Sequence, residues 1–154
     1  MVEIDICQHL YLRSNIMIST KGRYALRAMI DIACNEKKGF VSLKDISRRQ
    51  EISMKYLEQI IPLMIKSGLL VSSRGNNGGY HLAKEPKDIS AYDVLIASIK
   101  TLAPVECLSK DEMLCKRCDE CTTISLWREY YQVTKQYFSS KSLQDLMLFS
   151  KEEM

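Results

Sequence analysis

Apolar residues recur every three or four positions in several stretches of the chain, which is the spacing of one buried helix face. The first stretch predicts a helix that Ser19 or Thr20 caps and that runs to about Cys34. Ser42 and Ser53 are typical N-cap residues and predict the starts of a second and a third helix. The second helix is short, so the pair forms a helix-turn-helix.

Each of these helices has a predicted buried face. Cys34 falls on the apolar side of the first helix and is predicted to be a small core residue. Pro62 removes one backbone hydrogen bond from the third helix and predicts a kink there. The residues of the third helix that are predicted to face inward are Leu57, Ile60, Ile61, Met64 and Ile65.

Two short apolar runs follow the helix-turn-helix. Residues 69–73 and residues 80–83 read as strands, and the glycine-rich segment between them predicts a turn. A hairpin that follows the second helix of such a pair is a wing. The sequence therefore predicts a winged helix-turn-helix.

The remaining helices have a different character. Ser90 predicts a helix that ends near Leu102, Thr123 begins a long one, and Ser142 opens a short last one. The apolar face of the long helix is wider than a small domain needs, which predicts a homodimer interface; a central core helix of a monomer is the alternative. Its two stripes are Ile124, Trp127, Tyr131, Thr134 and Phe138, and beside them Leu126, Tyr130, Val133 and Tyr137.

The predicted fold class is mainly α: a winged helix-turn-helix with a two-stranded wing and a long C-terminal dimerisation helix. The orderly pattern begins at Met17, so residues 1–16 are treated as an extension that is either native or the result of a mistaken start. Residues 17–84 are assigned to DNA binding. Residues 85–154 are assigned to dimerisation, with a cysteine loop at 105–122.

Composition narrows the class of protein. No apolar run reaches the roughly 20 residues of a membrane span, and no signal peptide is visible, so a cytoplasmic protein is expected. The net charge of the 154 residues is +3. It divides into −1 over residues 1–16, +6 over residues 17–83 and −2 over residues 84–154. A basic first half indicates a polyanion partner, and beside a winged helix that partner is double-stranded DNA.

The polar residues at the start of the third helix are the candidate readers of DNA, because that end of such a helix enters the major groove. Arg74, at the wing tip, is a candidate for the minor groove or for phosphate. A solvated helix face is the alternative for any one of these side chains. The candidates are Ser53, Lys55, Tyr56, Glu58, Gln59 and Arg74.

Four of the six cysteines crowd into one loop, as Cys107-x7-Cys115-x2-Cys118-x2-Cys121. Thiolates at short spacing bind an iron–sulfur cluster or zinc, and two Cys-x2-Cys pairs that share Cys118 fit a zinc knuckle poorly. A loop of unligated thiols is the third possibility. No catalytic Ser–His–Asp set or carboxylate pair stands out, so an enzyme is not predicted.

Three motifs carry a family resemblance: KGRYALRAM at 21–29, YLEQ at 56–59, and RG at 74–75 followed by GGY at 78–80. In this order they resemble the Rrf2 family of winged-helix regulators. The resemblance implies a homodimer that binds near-palindromic operators, and it adds Lys21 and Arg23 to the expected DNA contacts. It also implies that Glu58 distinguishes operator classes according to whether a cluster is bound.

In the cluster-bearing members that this chain resembles, three loop cysteines are ligands, and they correspond to Cys107, Cys115 and Cys121. Those members use a histidine at the position of Ile124, which cannot ligate. Cys118 is therefore expected to be the fourth ligand of a [2Fe-2S] or [4Fe-4S] cluster. Glu106, Asp119 or a residue of the partner subunit are the alternatives.

The resulting hypothesis is a transcription regulator whose operator binding depends on an iron–sulfur cluster. A regulator controlled by zinc or by thiol oxidation is the alternative within the same class. From a different class, the alternative is a cluster carrier or electron-transfer protein that does not bind DNA. The basic first half and the wing argue against such a carrier.

Overall fold

The computed structural model describes residues 18–75, 77–109 and 118–152, without the side chains of Cys118 and of residues 149–152. The predicted start at Met17 and the extension before it lie outside this part. Short 3-10 turns lie at Glu36–Lys38, Pro86–Asp88, Glu106–Leu108 and Cys118–Glu120. The helices and strands are α1 (Thr20–Asn35), α2 (Leu43–Gln50), α3 (Met54–Lys66), β1 (Leu70–Ser73), β2 (Gly79–Leu82), α4 (Ala91–Ile99), α5 (Ile124–Ser139) and α6 (Leu143–Glu152).

Serine caps begin the helices where the sequence predicts them. Ser19 accepts a hydrogen bond from the Gly22 amide at 3.2 Å, and Ser42 accepts one from the Asp45 amide at 3.1 Å. Ser90 and Asp93 form a reciprocal capping box at the start of α4. These bonds satisfy amides that a helix start leaves without intrahelical partners, so local chemistry determines the boundaries.

The wing is a two-stranded antiparallel hairpin whose register pairs Leu70 with Leu82 and Ser73 with Gly79. Val41, two residues before α2, extends the pairing, because it exchanges two backbone hydrogen bonds of 2.9 Å with Tyr80. The wing is thereby joined to the start of α2. The predicted winged helix-turn-helix is confirmed.

The core lies where α1 meets the other helices. Met29 and Ile32 of α1 are fully buried, and so are Leu57, Ile60 and Met64 of α3. The C-terminal part of the chain contributes to the same core. The residues that it buries there are Ile89, Val94 and Leu143.

Backbone hydrogen bonds join the start of α6 to the start of α4. The amide of Leu143 donates to the carbonyl of Ile89 at 2.9 Å, and the amide of Ala91 donates to the carbonyl of Lys141 at 2.7 Å. Asp145 accepts from the amide and the hydroxyl of Ser142, and these bonds lower the pKa of its carboxyl group. The starts of α4 and α6 are therefore joined, and both helices pack against α1.

Three local predictions are wrong. Cys34 is exposed, because it lies about 200° around α1 from the buried Ile32. Ile65 is 37% exposed, since the wing leaves an open groove beside the last turn of α3. Helix α4 ends at Ile99 rather than near Leu102, because Lys100 adopts a left-handed conformation with φ 70°.

Helix α5 differs from the others in having no buried residue. The stripe that begins at Ile124 and includes Trp127 is half-buried. The neighbouring stripe is exposed and consists of Leu126, Tyr130, Val133 and Tyr137. This excludes a central core helix within the single chain. No helix in the described ranges is long and apolar enough to cross a membrane.

Candidate nucleic-acid interface and cysteine loop

The first half of α3 presents polar side chains on one face while its other face is buried. The Ser53 hydroxyl accepts a hydrogen bond from the Tyr56 amide at 3.3 Å, which starts the helix. Lys55, Glu58 and Gln59 are exposed. Lysine and glutamine can pair with guanine and adenine, and glutamate can accept from cytosine, so the face has the chemistry of a base-reading surface.

Tyr56 differs from the other candidates on α3 because its ring packs inside the protein. It is half-buried and meets Tyr24 of α1 edge to face, with ring centroids 5.3 Å apart. The packing leaves only part of the side chain available to a ligand. The contact joins the start of α3 to α1.

Two further candidates lie in the first turn of α1. Lys21 is half-buried, and Arg23 is exposed. The guanidinium of Arg23 donates to the Thr20 hydroxyl at 3.2 Å. Since an exposed hydrogen bond to a hydroxyl is weak, Arg23 can exchange it for a phosphate oxygen.

An ion pair between the buried Asp31 and the partly exposed Arg49 joins α1 to α2, and the sequence pattern did not predict it. Asp31 of α1 accepts two hydrogen bonds from Arg49 of α2, at 2.9 and 2.7 Å, and a third from Gln50 at 3.0 Å. The bonds to Asp31 raise the pKa of the Arg49 guanidinium above its usual range. The available signal was a carboxylate on an apolar helix face, which requires a partner.

The base of the wing is held by a second contact that the sequence pattern did not predict. The Glu36 carboxylate accepts a hydrogen bond from the Leu82 amide at 2.8 Å and lies 3.2 Å from Nδ1 of His81. The His81 ring also meets Phe40 edge to face. His81 is therefore part of the anchor of the wing, and the sequence signal for this was only a glutamate at the end of α1.

The wing tip exposes Arg74 beside a close approach of two backbones. Gly79 has φ 155°, and a Cβ atom at this position would collide with the carbonyl oxygen of Val41. Glycine therefore allows β2 to pair with Val41, which holds the wing beside α2. An open groove bounded by both elements has a volume of about 340 Å³ and is lined in part by Ser42, Ser73 and Arg74.

Two of the four loop cysteines can be placed with their side chains. Cys107 lies in the turn after α4 and Cys121 lies three residues before α5; both are half-buried. Sγ of Cys121 is 3.6 Å from the Thr123 hydroxyl. Cys115 and the side chain of Cys118 lie outside the described residues. Within the described residues, no three histidine, cysteine or acidic side chains form a metal site.

The four-thiol donor set fits an iron–sulfur cluster by its chemistry, since thiolates are the usual ligands of such clusters. Of the four cysteine side chains, the structure describes only those at the two ends of the loop, Cys107 and Cys121. Ile124 is half-buried in the first turn of α5. It brings an apolar side chain to the position where the family resemblance implies a histidine ligand.

A model of the Rrf2 family, described as an iron-dependent transcriptional regulator, matches residues 18–148. The chain belongs to the Rrf2 family. This Rrf2 chain is 38% identical over 130 residues to the HTH-type transcriptional regulator IscR of Photorhabdus laumondii, across 84% of this chain and 78% of the relative.

Two solved structures also resemble this Rrf2 protein. CymR of B. subtilis, described as a global cysteine regulator, is 38% identical with a TM-score of 0.70, covering 86% of this chain and 97% of CymR. IscR of T. potens is 34% identical with a TM-score of 0.72, covering 91% of this chain and 92% of that one. The Rrf2 protein is thus a DNA-binding transcription regulator with a winged helix, and its relatives are named as regulators rather than as enzymes.

Proposed function

We propose that this chain is a homodimeric, cytoplasmic regulator whose binding to a near-palindromic operator depends on an iron–sulfur cluster. The DNA-binding part is residues 17–84, and the dimerising part is residues 85–154. The ligands are Cys107, Cys115, Cys118 and Cys121. The observation that carries the proposal is the presence of two separate features: exposed polar side chains on α3, and four cysteines in the segment that precedes the exposed stripe of α5.

The DNA side of the proposal rests on exposure and charge. Lys55, Glu58 and Gln59 are exposed on the helix that enters the major groove in such folds. Arg74 extends from the wing toward the minor groove or the phosphates, and Arg23 reaches the flanking backbone. Ser53 and Lys21 lie at the starts of α3 and α1, where they contact phosphate. Tyr56 contributes through its exposed edge.

The sensing side of the proposal rests on the cysteine loop. A bound cluster changes its charge or disassembles when it is oxidised, and this supplies the sensing chemistry. Cys107 follows α4, which packs against α1, and Cys121 precedes α5. Ligation would connect these two ends of the loop, so that the arrangement of α4 and α5 depends on the cluster.

Dimerisation places two recognition helices on one DNA duplex. The exposed stripe from Leu126 to Tyr137 is apolar along its length and has no cover within the described part of the chain. A second copy packed on it would bury that stripe on both subunits, as a two-fold interface requires. Half-sites one helical turn apart, about 34 Å, then match the two copies of α3.

The proposal is tested with protein purified without oxygen. Iron, acid-labile sulfide and zinc are measured, and an operator is selected from a random DNA library by the protein before and after cluster removal. We expect iron and sulfide in the purified protein and a change in operator affinity on removal. Glu58→Ala should relax the preference at one base pair, which lowers the free-energy difference between the preferred base and its competitors there by about 1–3 kcal/mol.

The same measurements separate the alternatives. Zinc without sulfide would assign the loop to a structural metal, and metal-free protein whose binding follows thiol oxidation would assign it to a redox switch. CymR is described as a cysteine regulator and shares the fold with IscR, so the scaffold alone does not select the signal. Protein that holds a cluster but is not retained on DNA at low salt would be a carrier.

A further inference from the structure

Arg27, which lies outside every predicted contact, joins α1 to the turn of the helix-turn-helix. Its Nε donates to the side-chain oxygen of Gln50 at 3.2 Å. Its Nη2 donates to the backbone carbonyl of the same residue. The guanidinium also lies over the ring of Tyr24, 5.5 Å from its centroid. The exposed Arg27 side chain of α1 thus forms hydrogen bonds with two atoms of Gln50, the last residue of α2.

The turn that Arg27 holds is short and constrained. Glu51 follows in the left-handed region with φ 54°, where a residue with a Cβ is strained. The Ser47 hydroxyl donates to the carbonyl of Ile52 at 2.6 Å, and Ile52 is buried. Ser53 then caps α3. Since only three residues separate Gln50 from α3, a displacement of Gln50 must reach the start of α3.

Helix α1 holds the other side of this turn as well. The side-chain nitrogen of Gln50 donates to Asp31 at 3.0 Å, so both ends of its amide group are bound to α1. Tyr24, which lies under the Arg27 guanidinium, meets Tyr56 on the first turn of α3. Contacts on α1 therefore flank the turn on the α2 side and on the α3 side.

We propose that Arg27 is a positioning residue for DNA recognition: by holding Gln50 it orients the first turn of α3 toward the bases. This inference rests on the proposed reading of DNA by α3. Arg27 is exposed and lies outside the core, so its replacement removes no buried apolar side chain. Its effect should therefore appear in the choice between DNA sequences.

The test compares Arg27→Met with the parent protein on two duplexes of equal length. One is an operator selected by the parent protein, and the other has both half-sites scrambled. We expect affinity for the operator to fall about tenfold, the size of one lost base-pair readout, while affinity for the scrambled duplex stays unchanged. The slope of log affinity against log salt should not change, because no phosphate contact is lost.

Arg27→Lys keeps the positive charge but lacks the rigid fork that binds two atoms of Gln50. We expect it to lose discrimination as Arg27→Met does. Arg48→Met is the matched control, because Arg48 lies on α2, is 75% exposed and pairs with the neighbouring Asp45. It should leave the ratio of the two affinities unchanged.

Three results would overturn the inference. Arg27 would be a phosphate contact if Arg27→Met lost affinity equally for both duplexes, with a salt slope smaller by about 1, and if Arg27→Lys restored that affinity. Unchanged binding by Arg27→Met would make it a bystander, and a loss shared by Arg48→Met would make the effect one of net charge. Gln59→Ala tests the proposed function separately. If Gln59→Ala and Arg27→Met both leave discrimination intact, the proposed reading of bases by α3 is wrong. If Gln59→Ala loses discrimination and Arg27→Met does not, only the role of Arg27 is wrong.

Discussion

The carboxylate of Asp31, which is only 4% exposed, receives both hydrogen bonds of a bidentate pair from Arg49. The two residues lie on α1 and α2, and the pair fixes the first helix of the helix-turn-helix against the core. A buried carboxylate is tolerated because its partner and Gln50 satisfy it. The pair therefore positions α2 against α1.

Replacing Asp31 should destabilise the fold. Asp31→Ala leaves the Arg49 guanidinium, whose side chain is 31% exposed, without its acceptor. We expect the free energy of unfolding to fall by about 1–3 kcal/mol, measured by urea denaturation. Glu85→Ala is the control, since its pair with Lys87 is exposed and should be worth less than about 1 kcal/mol. Equal effects of the two variants would contradict the structural role of Asp31.

The wing should depend on glycine at one position for steric reasons. In Gly79→Ala the new methyl group would collide with the backbone of Val41 and separate β2 from the start of α2. We expect a loss of about 1–3 kcal/mol in unfolding free energy. Gly75→Ala is the matched control, because its φ is also positive but its Cβ would meet no atom within 4 Å. A smaller loss for Gly79→Ala than for Gly75→Ala would refute the close-approach argument.

Local sequence signals predicted the helix starts, because a serine cap and its target amide lie within three residues, as in Ser42 and Asp45. The glycine-rich wing was predicted for the same local reason. The contact of Glu36 with the Leu82 amide joins residues 46 positions apart, and no local pattern indicates it. Cys34 was placed wrongly, because the broad apolar face predicted for α1 included a position that lies about 200° around the helix from the buried Ile32.

The candidate site likewise contains features that local sequence patterns predicted and features that they did not. The polar residues of α3 were predicted because helix periodicity separates Lys55 and Gln59 from the buried Leu57. The contacts that orient this helix depend on tertiary packing between α1 and the turn, so the roles of Arg27 and Asp31 were not predicted. The cysteine pattern identified candidate ligands, but spacing does not specify the position of each thiol.

Arg74 should act through phosphate charge or minor-groove shape. Because it is exposed at the wing tip, Arg74→Ala should leave stability unchanged and weaken DNA binding. For a phosphate contact, the slope of log affinity against log salt falls by about 1 on every duplex. For a minor-groove contact, the loss is greatest on operators with A·T-rich flanks. Unchanged binding to all duplexes would remove Arg74 from the interface.

The exposed stripe of α5 should hold the dimer together. Val133 is 58% exposed in the single chain, so Val133→Asp should leave the fold intact but place a charge in the proposed interface. We expect the parent protein to sediment as a dimer at micromolar concentration and the variant as a monomer. Gln132→Asp, one position away and also exposed, should remain dimeric. A parent monomer, or a Val133→Asp dimer of unchanged affinity, would exclude this stripe as the interface.

The fourth ligand provides the sharpest test of the cysteine loop. Ile124 cannot ligate, and Cys118 lies three residues before Cys121, a spacing at which two thiolates bind one centre. Cys118→Ala should therefore lose iron and sulfide, or hold a cluster with a shifted visible spectrum that oxygen destroys faster. Cys34→Ala is the control, because Cys34 lies on α1, outside the loop, and its replacement should leave the spectrum unchanged. If Cys118→Ala keeps its full iron and sulfide with the parent spectrum, the fourth ligand is another group. Glu106→Ala and Asp119→Ala, measured in the same way, would then show whether it is one of these carboxylates. If neither variant changes the spectrum, the ligand is assigned to the partner subunit.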